Sequence, residues 1–121
     1  MRRPMHELSI AQSVVGAVLD HTGGDRVLSV RLEIGALSGV EVDALRFCFD
    51  LAARETAVQD AELVVERVAG RGRCRVCAAE TDLDSFVARC PCGCPDVEVT
   101  AGEQLRIRDV EVARDVRNMR V

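Results

Sequence analysis

The sequence predicts an α+β fold, and three features of its 121 residues support that prediction. Two segments repeat apolar residues at the spacing of an amphipathic helix. Other segments alternate apolar and polar residues, as half-buried strands do. The segment 74–94 contains five of the six cysteines and is too short and too polar to form a hydrophobic core by itself. Something other than apolar burial must therefore hold it together.

The first helix is predicted from His6 to His21. Gly23 and Gly24 end it, because paired glycines adopt the left-handed conformations found at helix C-termini. The macrodipole favours a basic side chain such as His21 at that end. The predicted buried side chains are Leu8, Ala11, Val15, Val18 and Leu19.

A strand is predicted next, in "VLSVRLEIG", where the period changes from helical to alternating. Its predicted buried residues are Leu28, Val30, Leu32 and Ile34, and its predicted wet residues are Ser29, Arg31 and Glu33. A second helix follows, with Ser38 or Asp43 as its cap. Its predicted buried residues are Leu45, Cys48, Phe49 and Ala52, with Cys48 acting as a small hydrophobe.

Two further strands are predicted, in "AELVVERV" and in "EQLRIRDVEVA". In the latter, the alternation that includes Ile107 is one step out of phase with the alternation that includes Val110. Either a bulge near Arg108 and Asp109 or a change of packing environment along the strand explains this shift.

Composition and charge exclude several classes of function. The chain has three phenylalanines, no tyrosine or tryptophan, and a net charge of −4, which argues against nucleic-acid binding. Arg71, Arg73 and Arg75 are interpreted as a solvated face, with binding to an acidic partner as the alternative. No apolar run is long enough to span a membrane, and the N-terminal segment lacks the apolar region of a signal peptide. We expect a cytoplasmic protein, whose cysteines serve metal or redox chemistry.

The cysteine spacing predicts a zinc ribbon. "CRVC" places Cys74 and Cys77 two residues apart, as in a metal knuckle, and "CPCGC" supplies a second half-site. Zinc binding would contribute the folding free energy that this segment lacks. An iron–sulfur cluster and a redox dithiol at "CRVC" are the alternatives.

The second half-site is irregular. Cys90 and Cys92 are separated by one residue, and Cys90 and Cys94 by three, whereas a regular knuckle has two. We favour Cys90 and Cys92 as ligands and Cys94 as the spare thiol, although the spacing alone does not decide between them.

Several stretches together resemble the HypA family of hydrogenase nickel-incorporation proteins. "MHELSIAQSVV" is similar to the family's amino terminus, and "VRLEIGALSGVEVDALRFCFD" to its central strand and helix. "CRVC" with "CPCGC" is similar to its zinc site, and "PDVEVTAGEQLRIRDVEV" to its closing strand. The family usually has two residues between the cysteines of the second pair, and Cys94 takes the place of a family serine.

The resemblance implies two helices packed on a small β-sheet, with an inserted zinc-ribbon subdomain. Residues 5–69 and 103–121 would form the nickel-binding part, and residues 70–102 the ribbon. His6 would be a nickel ligand, and Glu7 matches the acidic residue that follows it in the family. We expect residues 1–4 to be an artefactual extension, with translation starting at Met5, so that the amine of Met5 also binds nickel.

The function that the resemblance implies is that of a nickel metallochaperone, not an enzyme. It would deliver Ni²⁺ as cargo to the apo [NiFe]-hydrogenase large subunit, together with a HypB-type GTPase, as a monomer or a homodimer. The zinc bound by Cys74, Cys77, Cys90 and Cys92 would be structural. A zinc-ribbon adaptor that binds protein or nucleic acid without nickel is the second hypothesis, and a redox enzyme that uses Cys74 and Cys77 is the third.

Overall fold

The structure, a computed structural model, describes residues 4–83 and 90–113, with side chains from His6 onward. The described part contains two helices and two three-stranded sheets, which confirms the α+β prediction. The elements are α1 (Pro4–Thr22), β1 (Val27–Gly35), α2 (Val42–Ala53), β2 (Glu62–Val68), β3 (Gly70–Cys74), β4 (Glu80–Leu83), β5 (Val97–Ala101) and β6 (Leu105–Val112). Within these ranges, no helix is both long and apolar enough to cross a membrane.

The chain divides into two compact units. Unit 1 comprises Met1–Leu32, Val40–Val65 and Ile107–Val121, and it includes both helices. Unit 2 comprises Glu33–Gly39 and Glu66–Arg106, and it includes the cysteine-rich segment. One sheet has the strand order β2-β1-β6, and the other, within unit 2, has the order β4-β3-β5.

Helix α1 confirms the predicted first helix and begins two residues earlier, at Pro4. Proline is favoured in a first helical turn because its fixed φ suits the helix and its missing N–H has no partner there. Gly23, with φ of 66°, ends the helix by donating its N–H to the carbonyl of Leu19. The apolar side chains that α1 buries are Ala11, Val14, Val15 and Val18, while Leu8 and Leu19 are half-buried.

Helix α2 confirms the second predicted helix, but its cap differs from the prediction. Glu41 is the N-cap residue, and its side chain accepts a hydrogen bond from the N–H of Asp43. Asp43 itself lies in the first helical turn. Ser38 lies in the turn that follows β1, where its N–H donates to the carbonyl of Gly35. The buried side chains are Leu45, Cys48, Phe49 and Ala53. Ala52, predicted to be buried, is half-buried because Ala53 continues the spacing of four set by Leu45 and Phe49.

Strand β1 departs from simple alternation at both ends. Leu28 was predicted to face the core but is 41 % exposed, and Val27 is buried in its place. Glu33 was predicted to face solvent but is buried, and the Arg106 Nε donates to its carboxylate at 2.7 Å. This bond and the carboxylate charge raise the pKa of Arg106 against the opposing effect of desolvation. β1 is the middle strand of its sheet, and its final residues are covered on both faces, so alternation fails there.

Strand β6 shows the predicted change of phase. Its side chains are half-buried at Leu105, Ile107, Val110 and Val112, and two consecutive residues, Arg108 and Asp109, are both exposed. The inward face therefore shifts by one residue at the middle of the strand.

Three glycines of unit 2 bring backbone segments into direct contact. A Cβ atom added to Gly35 would overlap the carbonyl group of Gly102, and one added to Gly102 would approach the Cα of Gly70 at 2.5 Å. Gly102 also has φ of 103°, in the region that favours glycine. The N–H of Leu37 donates to the carbonyl of Gly102, and that of Gly35 to the carbonyl of Gln104, both at 2.7 Å. We call Gly35, Gly70 and Gly102 the glycine junction.

We expect Gly35→Ala to lower the free energy of unfolding by about 3 kcal/mol, since the new methyl group must displace backbone atoms. Gly16→Ala is the control, because Gly16 lies in α1 with open space around its Cα. That change should stabilise the protein by up to about 1 kcal/mol through helix propensity. Urea denaturation of the metal-loaded protein measures both, and equal stability of Gly35→Ala and wild type would contradict the packing described here.

Candidate metal centres

Four cysteine sulfurs of unit 2 converge on one point. The Sγ atoms of Cys74, Cys77, Cys90 and Cys92 all lie within 4.8 Å of one another. The separation is 3.7 Å between Cys74 and Cys92 and 3.5 Å between Cys77 and Cys90. Four Zn–S bonds of about 2.3 Å in a tetrahedron give sulfur separations of about 3.8 Å. The cluster therefore has the dimensions of a single tetrahedral metal site, and all four cysteines are free thiols.

The first half-site is a turn at the end of β3. The N–H groups of Val76 and Cys77 both donate to Cys74 Sγ, at 3.4 Å each. Ala78, with φ of 64°, donates its N–H to the carbonyl of Cys74 and closes the turn. Such N–H donation to sulfur fixes the direction of the thiolate and stabilises its charge.

The second half-site is a tighter turn that contains one residue between its cysteines. The N–H of Cys92 donates to Cys90 Sγ at 3.5 Å, and the N–H of Gly93 donates to the carbonyl of Cys90 at 2.8 Å. Gly93 has φ of 96°, which allows the chain to reverse within these few residues. The short "CPC" spacing thus brings both of its sulfurs to the same point as the first half-site.

Cys94 lies outside the group of four sulfurs. Its half-buried side chain accepts a hydrogen bond from the N–H of Asp96 at 3.3 Å. Although this bond lowers its pKa, burial and the neighbouring thiols of Cys74 and Cys92 raise it overall. The structure therefore favours Cys90 and Cys92 over Cys94 as members of the sulfur group, a choice that the spacing alone left open.

The pKa values of Cys74 and Cys90 are shifted in opposite directions within the cluster. The N–H groups of Cys77 and Val76 lower the pKa of Cys74 to about 6, against the effect of burial. At Cys90, the N–H of Cys92 also lowers the pKa, but burial and the adjacent thiols outweigh it and raise the pKa to about 12. A cation that binds all four sulfurs must displace protons, so its affinity falls as pH falls, and most steeply below about 6, where Cys74 is protonated too.

The donor set fits one thiophilic ion. Four thiolates in tetrahedral arrangement are typical of zinc or iron–sulfur sites. A multi-iron cluster has to fit between its cysteine sulfurs, so it needs them farther apart than a single ion does. The sulfur separations of 3.5 and 3.7 Å therefore favour a single ion.

Three arginines of the ribbon, Arg71, Arg73 and Arg75, are paired within unit 2. Arg71 contacts Asp82 at 3.1 Å and Glu80 at 3.4 Å, and Arg73 contacts Glu80 at 3.7 Å. Arg75 contacts Asp96 at 3.0 Å. These exposed pairs balance the local charge, which supports the interpretation as a solvated face and weakens the case for an acidic partner.

His6 and Glu7 lie side by side in the first turn of α1 and differ in exposure. His6 is exposed, whereas Glu7 is only 1 % exposed. The Oε2 atom of Glu7 accepts the N–H of Glu41, the N-cap residue of α2, at 3.1 Å. Glu7 thus stabilises the N-terminus of α2 by a hydrogen bond and by its charge.

Sequence reasoning missed this role of Glu7. In a capping box, a Glu or Gln at the third helical position accepts the N-cap N–H. That position of α2 is Ala44, which has no acceptor, and this absence is the one local signal that another segment supplies the carboxylate. The two partners are 34 residues apart, so no local pattern could identify Glu7.

Comparison with known proteins gives one consistent result. Residues 5–112 match the family model HypA, described as hydrogenase/urease nickel incorporation, metallochaperone. The hydrogenase maturation factor HypA of Geobacter metallireducens is 49 % identical over 109 residues, covering 89 % of this chain and 99 % of that protein. The HypA of Geotalea uraniireducens is 50 % identical with the same coverages.

Solved structures show the same fold. The solution structure of the Ni metallochaperone HypA from Helicobacter pylori superposes with a TM-score of 0.64. It is 20 % identical in sequence and covers 90 % of this chain and 98 % of its own. At that identity, the likeness concerns the fold alone, a pair of helices with small sheets.

We expect Cys92→Ser to weaken Zn²⁺ binding about 100-fold or more, because one of four thiolates is lost. Cys94→Ser is the matched control, two residues away and outside the sulfur group, and it should leave the affinity unchanged. Competition with a chromophoric chelator at pH 7 measures both affinities. The opposite ranking would make Cys94 the ligand.

We expect Glu7→Ala to lower the free energy of unfolding by about 2 kcal/mol, since the N–H of Glu41 loses a charged acceptor. Glu7→Gln keeps a neutral acceptor and should cost less. Ser9→Ala, an exposed position in the same helix, is the control and should change little. Denaturation followed by helical circular dichroism measures all three, and an unchanged Glu7→Ala would exclude a capping role.

Proposed function

The chain belongs to the HypA family of hydrogenase/urease nickel-incorporation metallochaperones, and from this premise we propose that it binds Ni²⁺ at His6 and delivers it to an apo [NiFe]-hydrogenase large subunit. It works in the cytoplasm with a HypB-type GTPase and catalyses no reaction itself. The observation that carries the proposal is the exposed imidazole of His6, next to a buried Glu7 that anchors the same helical turn.

The chemistry of the first turn of α1 suits nickel. Ni²⁺ favours planar sites rich in nitrogen. The first N–H groups of a helix have no acceptor within the helix, so backbone nitrogens near His6 are available. With translation starting at Met5, its terminal amine adds a further nitrogen beside the imidazole. The family match begins at Met5, which supports that start.

We assign Glu7 a positioning role at this site and not a ligand role. Its carboxylate is buried and accepts a hydrogen bond from the N–H of Glu41, so it points toward α2. The bond ties the first turn of α1 to the N-terminus of α2 while leaving His6 in solvent. An anchored turn limits the conformational entropy that nickel binding must overcome.

Release is as necessary to a carrier as binding. A site formed by the tip of the chain and one exposed imidazole is open to ligand exchange with an acceptor protein. A buried site with fixed ligands on several strands would hold the ion too firmly for transfer. The exposure of His6 therefore supports delivery in preference to storage.

The second ion of the proposal is structural Zn²⁺, bound by Cys74, Cys77, Cys90 and Cys92. Bound there, it cross-links the two half-sites and contributes folding free energy to unit 2. We propose that residues 70–102 form this zinc-ribbon part and that residues 5–69 with 103–121 carry the nickel site. With four thiolate ligands, such an ion would have no open coordination position and would supply no reaction chemistry.

We expect protein that begins at Met5 to bind one planar Ni²⁺, and His6→Ala to weaken that binding about 100-fold or more, since the imidazole is lost. His21→Ala is the matched control, because His21 is the other histidine of the chain and is also exposed. Isothermal titration with the zinc-loaded protein gives the affinities, and X-ray absorption gives the nickel ligands.

Two outcomes would contradict the proposal. Equal nickel affinity of His6→Ala and wild type would favour the adaptor hypothesis, in which the ribbon binds a partner and nickel has no role. Full nickel affinity in protein that retains residues 1–4, as checked by intact mass, would exclude the terminal amine of Met5 as a ligand.

A further inference from the structure

Strand β6 is an edge strand of the sheet β2-β1-β6. Among the described strands it has β1 as its neighbour on one side and no neighbour on the other. An open edge presents unpaired N–H and C=O groups to any strand that can align with it. We propose that the free edge of β6 pairs antiparallel with the same edge of a second copy of this chain, forming a two-fold symmetric dimer.

The sequence of β6 is complementary to that of a second, antiparallel copy of the same strand. When two copies are paired about the point between Arg108 and Asp109, each charged residue lies opposite its opposite charge, and each apolar residue lies opposite an apolar one. Pairing puts Arg108 against Asp109, Arg106 against Glu111, Ile107 against Val110, and Leu105 against Val112 of the second copy. Directly opposed unlike charges and β-branched pairs both stabilise antiparallel strands.

The phase change at the centre of β6 makes this register possible. A two-fold axis perpendicular to a sheet keeps each residue on its own face, so opposed residues must share a face. In a strand that alternates throughout, pairing about a point between two residues would oppose an inward side chain to an outward one. In β6, Arg108 and Asp109 are both exposed, and the burial pattern reads the same in both directions. The faces therefore match along its whole length.

The other edge strand, β2, has no such property. Its sequence is ELVVERV, and its seven residues can be tested in the same way. Every two-fold register along most of its length places an apolar residue opposite a charged one, or Glu62 opposite Glu66. The self-complementarity is therefore specific to β6 and is not a general feature of the edges of this sheet.

Space for the second copy is present beside β6. An open groove of about 560 Å³ in unit 1 is lined by Ala17, Val18 and His21 of α1 and by consecutive residues of β6, including Ile107 and Val110. No residue of β1 lines it, so the groove lies away from the paired side of β6. The apolar side chains of the second copy's β6 would enter this groove and cover the exposed methyl groups.

Three charges of β6, those of Arg106, Arg108 and Asp109, already have partners within the chain, and the pairing adds a second partner to each. Asp109 contacts Arg31 at 3.3 Å, and both side chains are about half exposed. An exposed pair of this kind contributes little to stability, so Asp109 can also serve a second arginine without loss to the fold. A single eight-residue edge gives a small interface, and we expect a weak, reversible dimer.

The test exchanges charges at the centre of the strand. Arg108→Asp places the introduced aspartate opposite Asp109 of the second copy, and this happens twice in the dimer. Asp109→Arg likewise opposes two cations. Each variant alone should associate at least tenfold more weakly than wild type. An equimolar mixture of the two variants restores opposite charges at both contacts, and it should associate within about threefold of wild type.

Sedimentation equilibrium on the full chain, at up to about 300 μM, measures these association constants. Arg67→Asp, an exposed change of the same kind on β2, is the control and should leave association unchanged. Recovery in the mixture also shows that both variants are folded. A monomeric wild type, variants that associate as well as wild type, or a mixture that stays monomeric would each overturn the proposal.

Discussion

The convergence of four sulfurs is the constraint on which unit 2 depends. The strands β3, β4 and β5 are short, and the buried apolar residues described in the ribbon are Cys74, Leu83 and Cys90. A core this small cannot offset the entropy of ordering the segment. The ion proposed above would hold the four sulfurs together, and the turns after β3 and around Gly93 have the conformations needed to present them. The local backbone thus positions the sulfurs, and an ion bound to them would in turn stabilise the fold of unit 2.

Unit 1 is held together by different forces. Its helices bury aliphatic side chains such as Ala11, Val18 and Leu45, and its one fully buried carboxylate, among the residues described, is that of Glu7. Burying a charge is costly unless hydrogen bonds and a favourable potential compensate it. The N-terminus of α2 supplies both. A single side chain thereby stabilises one helix and fixes the start of another, right beside an exposed histidine.

The sequence was sufficient wherever periodicity or spacing determines the structure. The two helices follow from apolar repeats, and the ribbon follows from cysteine spacing. Prediction failed where tertiary contacts override local pattern. Leu28 is exposed although it continues an alternation, and Glu33 is buried because Arg106, 73 residues away, pairs with it. The Glu7 contact is equally non-local. At the second half-site, spacing left Cys90, Cys92 and Cys94 as rivals, because only the three-dimensional turn determines which sulfurs meet.

The close backbone packing at the glycine junction affects how the segments of unit 2 can move. Side chains normally separate neighbouring segments and can change rotamer to absorb a small displacement. No side chain lies between the backbones where Gly102 meets Gly35 and Gly70, and hydrogen bonds of 2.7 Å join the segments of Gly35 and Gly102. A displacement of one segment at this point therefore has to move backbone atoms of its neighbours. Because residues 33–39 and the segments around Gly70 and Gly102 pack backbone against backbone within unit 2, we expect a displacement of the ribbon strands there to shift residues 33–39 as well.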